Sequence, residues 1–270
     1  MKTKIIIFTA AIALTAMSVL AHDLFLKPDS YFAKINQKVS ISVMNGTFQE
    51  SEGAVNFARV TDVSVVSPSG ARTNPKETDF TKNETTAFLN FVPTEAGNYV
   101  VGISTMWREN TLKAAAFNEY LPAEGIPDIL ENRKRDGELD KDATYRYSKY
   151  VKTILQVGDK RTDSYKTSLG YAVEMLPQSN PYNVKVGRTI EIACLKDGKP
   201  LVGQTVVTGN EADGKLATEK SVRSDEKGII KIKLDRAGKW YAKFINMVKV
   251  ADPKLNYESK WATLTFEIRK

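Results

Sequence analysis

The 270-residue chain contains one histidine, His22, and its position gives it chemical meaning. It follows Val19-Leu20-Ala21, a small-residue ending of the kind signal peptidase reads, so cleavage after Ala21 makes histidine the first residue of the mature chain. A terminal histidine carries two nitrogen donors, the freed α-amine and the imidazole. Together they chelate a transition metal, and nickel, cobalt, copper and zinc all suit this pair. Two nitrogens alone hold metal weakly, so further ligands are required. Asp23 is adjacent, and Met247 and Met106, near the ends of predicted strands, are the soft sulfur donors on offer. Because metal must displace a proton from the amine, affinity is expected to fall on acidification.

The same solitary histidine removes other chemistry. A Ser-His-Asp or Cys-His arrangement would have to use a residue at the chain end. A zinc site of several histidines and a two-histidine copper brace cannot be completed. No P-loop, dinucleotide fingerprint or paired-cysteine site occurs. The expectation is a binding protein with no catalytic residues, not an enzyme.

Lys2 and Lys4 ahead of the apolar run 5–16 complete a signal peptide over residues 1–21, which predicts a periplasmic or secreted protein. No later apolar run reaches spanning length, so no integral membrane segment is expected after cleavage. The one cysteine, Cys194, alternates with Ile190 and Ile192 and is expected to be buried in a strand without a disulfide partner. Loss of Lys2 and Lys4 leaves 37 Lys and Arg against 32 Asp and Glu, a formal charge of +5 instead of +7. This mild, mixed charge has no basic stripe interleaved with aromatics, so no nucleic-acid partner is expected.

Alternating or β-branched segments at 39–44, 61–67, 86–92 and 98–104, and again at 189–194, 204–208, 228–234, 239–245 and 262–268, predict strands. Ser67-Pro68-Ser69-Gly70 and Asp197-Gly198-Lys199-Pro200 mark turns. Ala96-Gly97-Asn98-Tyr99 and Ala237-Gly238-Lys239-Trp240 share a pattern whose constant offset also aligns Met106 with Met247, which predicts a late hairpin used twice. Between the two sets, Pro127 opens a helix through Arg135 that Asp136-Gly137 closes, and a second helix is expected over 144–157, where Tyr147, Tyr150, Val151 and Ile154 recur at helical spacing. Arg133, Lys134, Arg135, Arg146, Lys149 and Lys152 are expected on a solvated helix face, with an acidic partner or lipid headgroup as the functional alternative. The fold expected is mainly β: a signal peptide over 1–21, an N-terminal sandwich over 22–112, a helical insertion over 113–160 and a C-terminal sandwich over 161–270, both sandwiches immunoglobulin-like.

Several stretches carry a family resemblance. They are His22-Asp23-Leu24-Phe25-Leu26-Lys27-Pro28, Phe117-Asn118-Glu119-Tyr120-Leu121, Tyr145-Arg146-Tyr147-Ser148-Lys149-Tyr150, Leu169-Gly170-Tyr171-Ala172-Val173-Glu174 and Glu258-Ser259-Lys260-Trp261-Ala262. The chain resembles, over essentially its whole mature length, a bacterial exported family related to nickel- or cobalt-uptake, NikM-like periplasmic components. The resemblance implies two immunoglobulin-like domains that help deliver nickel or cobalt to a membrane metal-uptake transporter. It maps the recurring N-terminal histidine onto His22. It also implies a histidine before the methionine of the late strand, where this chain has Asn246. The rival expectation is an immunoglobulin-like interaction module that binds a protein, envelope component or glycan without metal; an exposed aromatic patch around Tyr145, Trp107 or Trp261 would favour it.

Overall fold

The nine alternating segments are all strands in the computed structural model, which describes residues 22–269. The signal-peptide assignment for 1–21 lies outside the described residues. Three sheets form. The first contains β1 (Asp23–Pro28), β3 (Val39–Gly46), β6 (Phe80–Lys82) and β7 (Ala87–Phe91) in the order β1-β3-β7-β6. The central sheet has eleven strands: β2 (Phe32–Ala33), β4 (Val60–Val66), β5 (Arg72–Thr73), β8 (Gly97–Thr105), β9 (Arg108–Leu112), β10 (Ala143–Val157), β14 (Thr205–Ala212), β15 (Lys215–Leu216), β16 (Lys220–Arg223), β18 (Gly238–Lys249) and β19 (Tyr257–Ile268). The third contains β11 (Val173–Pro177), β12 (Thr189–Lys196), β13 (Lys199–Pro200) and β17 (Ile229–Lys233).

Alternation sends neighbouring side chains of the central sheet to opposite faces, and each face is covered. On one face Val101, Ile103, Val151 and Leu155 pack against Leu24, Leu26, Ile41 and Leu89 of the first sheet. On the other, Val100, Ile154, Phe244 and Leu264 pack against Val173, Ile190, Ile192 and Cys194 of the third. Cys194 is thus a buried core thiol, as its spacing predicts.

Among the described residues α-helix is confined to α1 (Ala114–Ala123) and α2 (Pro127–Arg135). The α2 bounds follow Pro127 at the start and Gly137, at φ 65°, past the end. The helix expected over 144–157 does not form: these residues belong to β10, and the segment 113–160 is helical only as far as Arg135. The physical reason is cover on both faces, which removes the polar half of a strand's alternation and leaves an apolar spacing that a helix mimics. Asp142, just ahead of β10, caps α1: its carboxylate accepts from the Ala114 N–H at 3.0 Å. β10 pairs antiparallel with β8 and parallel with β19, so the two halves of the chain share one continuous sheet.

The repeated pattern is also real but is not a hairpin. β7 and β8 lie in different sheets, as do β17 and β18, so each copy is a corner where the chain crosses between layers. Gly97 at φ 145° and Gly238 at φ 131° sit at these corners, where an added Cβ would lie 2.6 Å from the Pro68 side chain and 2.3 Å from the Glu211 carbonyl. The next aromatic ties each corner to its own approach: the Tyr99 hydroxyl accepts from Glu95 N–H at 3.0 Å, and Trp240 Nε1 donates to the Arg236 carbonyl at 3.2 Å. Immunoglobulin-type sandwiches use a tyrosine at such a corner in the same way.

The expected solvated basic face is corrected in part: Lys134 and Arg135 are exposed on α2, but other members are not. Arg133, Lys149 and Lys152 are buried. Arg133 donates to the Asn118 side chain and to the Glu138 and Lys141 carbonyls. Lys152 forms an ion pair with Glu174 at 2.6 Å, and Glu174 also accepts from Ser168 Oγ and the Leu169 N–H. Burial pushes the Lys152 pKa down, against the attraction of Glu174. Removing only one partner strands a charge. Lys152→Ala is expected to cost about 3–5 kcal/mol, whereas Lys152→Met with Glu174→Leu recovers most of it. Urea unfolding of the three proteins checks this, and equal losses in single and double variants would refute it.

Candidate functional site

His22 is placed by the strand that follows it. β1 pairs with β3 from Asp23↔Gly46 to Pro28↔Ile41, and its other edge lies over β19. There the Leu24 and Leu26 carbonyls accept from Thr263 Oγ1 at 2.9 Å and Thr265 Oγ1 at 2.6 Å. The His22 carbonyl accepts from the buried Lys149 ammonium, which also lies 5.0 Å from the Trp261 ring centroid. Asp23 is buried and pairs with Lys243 Nζ at 2.6 Å.

These contacts put His22 at a cleft of about 270 Å³, lined by His22, Asp23, Glu52, Glu124, Glu219 and Lys243 among others. Tyr241 and Phe25 form its aromatic wall with their rings 5.2 Å apart, and Tyr241 donates to Glu219 Oε1 at 2.6 Å. Burial pushes the Tyr241 pKa up, and Glu219 adds to the shift. Burial works against the Lys243 charge, but Asp23 and Glu219 outweigh it and hold the ammonium above its ordinary range. Glu124 stands at the C-terminal end of α1, where the helix dipole adds further negative potential. Asp23, Glu52, Glu124 and Glu219 thus share the cleft with Lys243.

His22 Nδ1 lies 3.3 Å from Glu52 Oε2, and both side chains are about half exposed, at 48% and 53%. Two donors sharing one ion at metal–ligand distances of about 2.1 Å stand roughly 3.0–3.4 Å apart, so this pair fits a single transition metal. The fit stops at two donors: among the described residues no group of three or more His, Cys, Asp or Glu could hold a metal ion. The α-amine would have to be the third. Asp23 is committed to Lys243. Met247 is buried with Phe117, Tyr120 and Trp261 beneath α1, and Met106 is exposed where β8 meets β9. Neither methionine lines the cleft.

Glu52, Glu124, Glu219, Tyr241 and Lys243 did not stand out in the sequence, because they come from separate loops and strands, and Lys149 stood out there only as part of a solvated basic face. One signal was available: Lys243 lies between Tyr241 and Ile245 on an inward-facing row, where a lysine needs an internal partner. The aromatic patch considered for an interaction module is not continuous, since Tyr145 and Trp261 are buried and only Trp107 reaches solvent.

Burial pushes the Lys149 pKa down to about 8, with Asp23 opposing the shift and Arg59 and Arg108 adding to it. The ordinary value is 10.5, so between these two values the unfolded chain binds more protons than the folded one, and the stability this residue allows rises with pH. Below pH 8 both states are protonated and the contribution is flat. The stability of the wild type relative to Lys149→Met is expected to rise above pH 8 by up to about 1.4 kcal/mol per pH unit. Urea unfolding at pH 7 and pH 10 measures it, and a pH-independent difference would contradict the placement of Lys149. Separately, a Cβ on Gly209 would fall 2.2 Å from Tyr241 Cζ. Gly209→Ala is therefore expected to displace the cleft wall and cost about 1–3 kcal/mol, and a midpoint of thermal unfolding matching wild type would show that Tyr241 moves freely.

Comparison with solved structures gives loose matches to β proteins. The D0-D1 domain of intimin aligns at 14% identity and TM-score 0.22, covering 90% of this chain and 97% of that one. A tetra-tandem repeat from the extending region of a large adhesion protein aligns at 11% identity and TM-score 0.24, with coverage of 92% and 50%. The human OSCAR ligand-binding domain aligns at 8% and 0.20, with coverage of 92% and 99%. No curated protein sequence matches the chain. No helix among the described residues is long and apolar enough to cross a membrane. Residues 19–247, the stretch from before His22 into β18, match a single family along their whole length, and the chain belongs to that family, the domain of unknown function DUF4198.

Proposed function

We propose that this protein is a non-enzymatic, periplasmic or secreted transition-metal-binding accessory protein that holds a nickel- or cobalt-type ion at the mature N-terminus and passes it to a membrane metal-uptake transporter. The α-amine and imidazole of His22 supply two donors and Glu52 the third. The observation that carries this reading is the 3.3 Å approach of His22 Nδ1 to Glu52 Oε2 at the mouth of a carboxylate-lined cleft. Lys149, bonded to the His22 carbonyl, fixes the terminal residue so that its donors face the cleft. Copper and zinc suit the same donors, and the affinity order favours copper where supply does not decide. Met106 and Met247 have no part in this site. The repeated corner supports reading the chain as two immunoglobulin-like units that share one sheet.

Calorimetric titration of nickel, cobalt, copper and zinc into protein exported and cleaved by its host tests the proposal, beside a version with one extra residue ahead of His22. One equivalent is expected to bind the cleaved protein and to be lost in the extended one, where the amine has become an amide. Glu52→Gln is expected to weaken binding by about tenfold or more, and affinity is expected to fall between neutral and mildly acidic pH. Equal binding by both versions, or binding by neither, would overturn the site.

A further inference from the structure

Arg59, Arg108 and Lys149 gather on one face of the central sheet, beside His22. Arg108 of β9 stands opposite Tyr147 of β10, and Lys149 is two residues further on, so alternation sends these three side chains to the same face. The Lys149 ammonium lies 5.7 Å from the Tyr147 ring centroid and donates to the His22 carbonyl. Arg59 joins from the turn before β4, where its carbonyl accepts from the Met106 N–H at 2.8 Å. Burial lowers the Arg59 pKa, Arg108 adds to the shift, and Tyr147 opposes it. Arg59 and Arg108 likewise act against the charge of Lys149.

These cations have donors to spare. Among the described residues neither Arg59 nor Arg108 has an ion-pair or side-chain hydrogen-bond partner. The buried Lys149 ammonium has three N–H groups, and the His22 carbonyl is its one hydrogen-bond acceptor among the described residues. A further donor stands at the other end of the row. Tyr120 of α1 stacks on Tyr145 with ring centroids 5.7 Å apart, and its buried hydroxyl has no hydrogen-bond partner among the described residues. Asp23 and Glu124, which act on Lys149, act on Tyr120 too. Asp23 is neutralised by Lys243, which leaves Glu124 against three cations. Like charges held together with unfilled donors are the signature of an anion site.

We propose that Arg59, Arg108 and Lys149 bind a small organic polycarboxylate beside His22. Two guanidinium forks and an ammonium match an acid with more than one carboxylate, because each planar fork can take one carboxylate through two parallel hydrogen bonds. A remaining carboxylate of the acid is then close to the His22 donors, so a metal ion there is held as a chelate whose other ligands the acid supplies. The carboxylate site stands without metal, and its reach to the ion rests on the metal reading of His22.

The test is equilibrium dialysis of labelled citrate against the full, host-cleaved protein, with and without nickel. The metal-free protein is expected to retain one citrate, less tightly as salt is raised. Arg59→Gln with Arg108→Gln is expected to weaken retention by about tenfold or more with an unchanged circular dichroism spectrum and unchanged binding of nickel alone. Arg146→Gln removes an equal charge from the opposite face and is expected to behave like wild type. Nickel is expected to tighten citrate retention, and one extra residue ahead of His22 to remove that gain while leaving metal-free retention intact. No citrate retention, wild-type retention by the folded double variant, or an equal loss in Arg146→Gln would overturn the site, even where nickel alone still binds. Retention of citrate by a protein that binds no nickel would uphold the carboxylate site and overturn the metal reading of His22. Inorganic phosphate displacing citrate at equal concentration would overturn the polycarboxylate in favour of phosphate.

Discussion

β10 is hydrogen-bonded on both edges over part of its length and covered on both faces, so the polar groups it carries must find partners inside the protein. Lys152 finds Glu174 from the third sheet. Gln156 accepts from Asn98 Nδ2 at 2.9 Å and donates to the Gly158 and Lys160 carbonyls. Lys149 finds the carbonyl of His22. Each pairing draws a different part of the chain onto one strand. Dehydrating these groups is unfavourable, and the partners offset that cost only in the assembled arrangement, so the pairings contribute to a specific register more than to net stability.

The N-terminal end depends on that strand. An edge strand exposes backbone groups that invite wrong pairing. Here the carbonyls of β1 are taken by threonine hydroxyls of β19, residues more than two hundred positions away in sequence. With its edge closed and its first carbonyl held by Lys149, β1 delivers His22 to a defined place. The chemistry of that place is local. Asp23 and Lys243 neutralise one another across the cleft wall, and Glu52, Glu124 and Glu219 also line the cleft. Of these, Glu52 is the carboxylate within reach of the imidazole.

The repeat within the chain gains meaning at the same level. Gly97 and Gly238 occupy equivalent corners because a side chain there would collide with the layer being crossed. The similarity breaks at Met106 and Met247. β18 continues straight through Met247 and buries it beneath α1, while β8 ends at Thr105 and leaves Met106 exposed. Two methionines that sequence alignment pairs therefore have opposite environments, and neither reaches the cleft.

By itself the sequence determined that the fold is mainly β, where nine of its strands run, where α2 begins and ends, and that Cys194 is a core residue. All of these follow from patterns within a few residues of one another, and the solitary histidine is legible for the same reason. Only the tertiary structure decided that 144–157 is a strand, since its apolar spacing suits either form until cover on both faces is known. Only the tertiary structure placed Lys149, Lys243, Glu52 and Glu219 beside the terminal strand. Those contacts join residues from distant parts of the chain, and the burial that makes a lysine or carboxylate informative exists only once the sheets have closed around it.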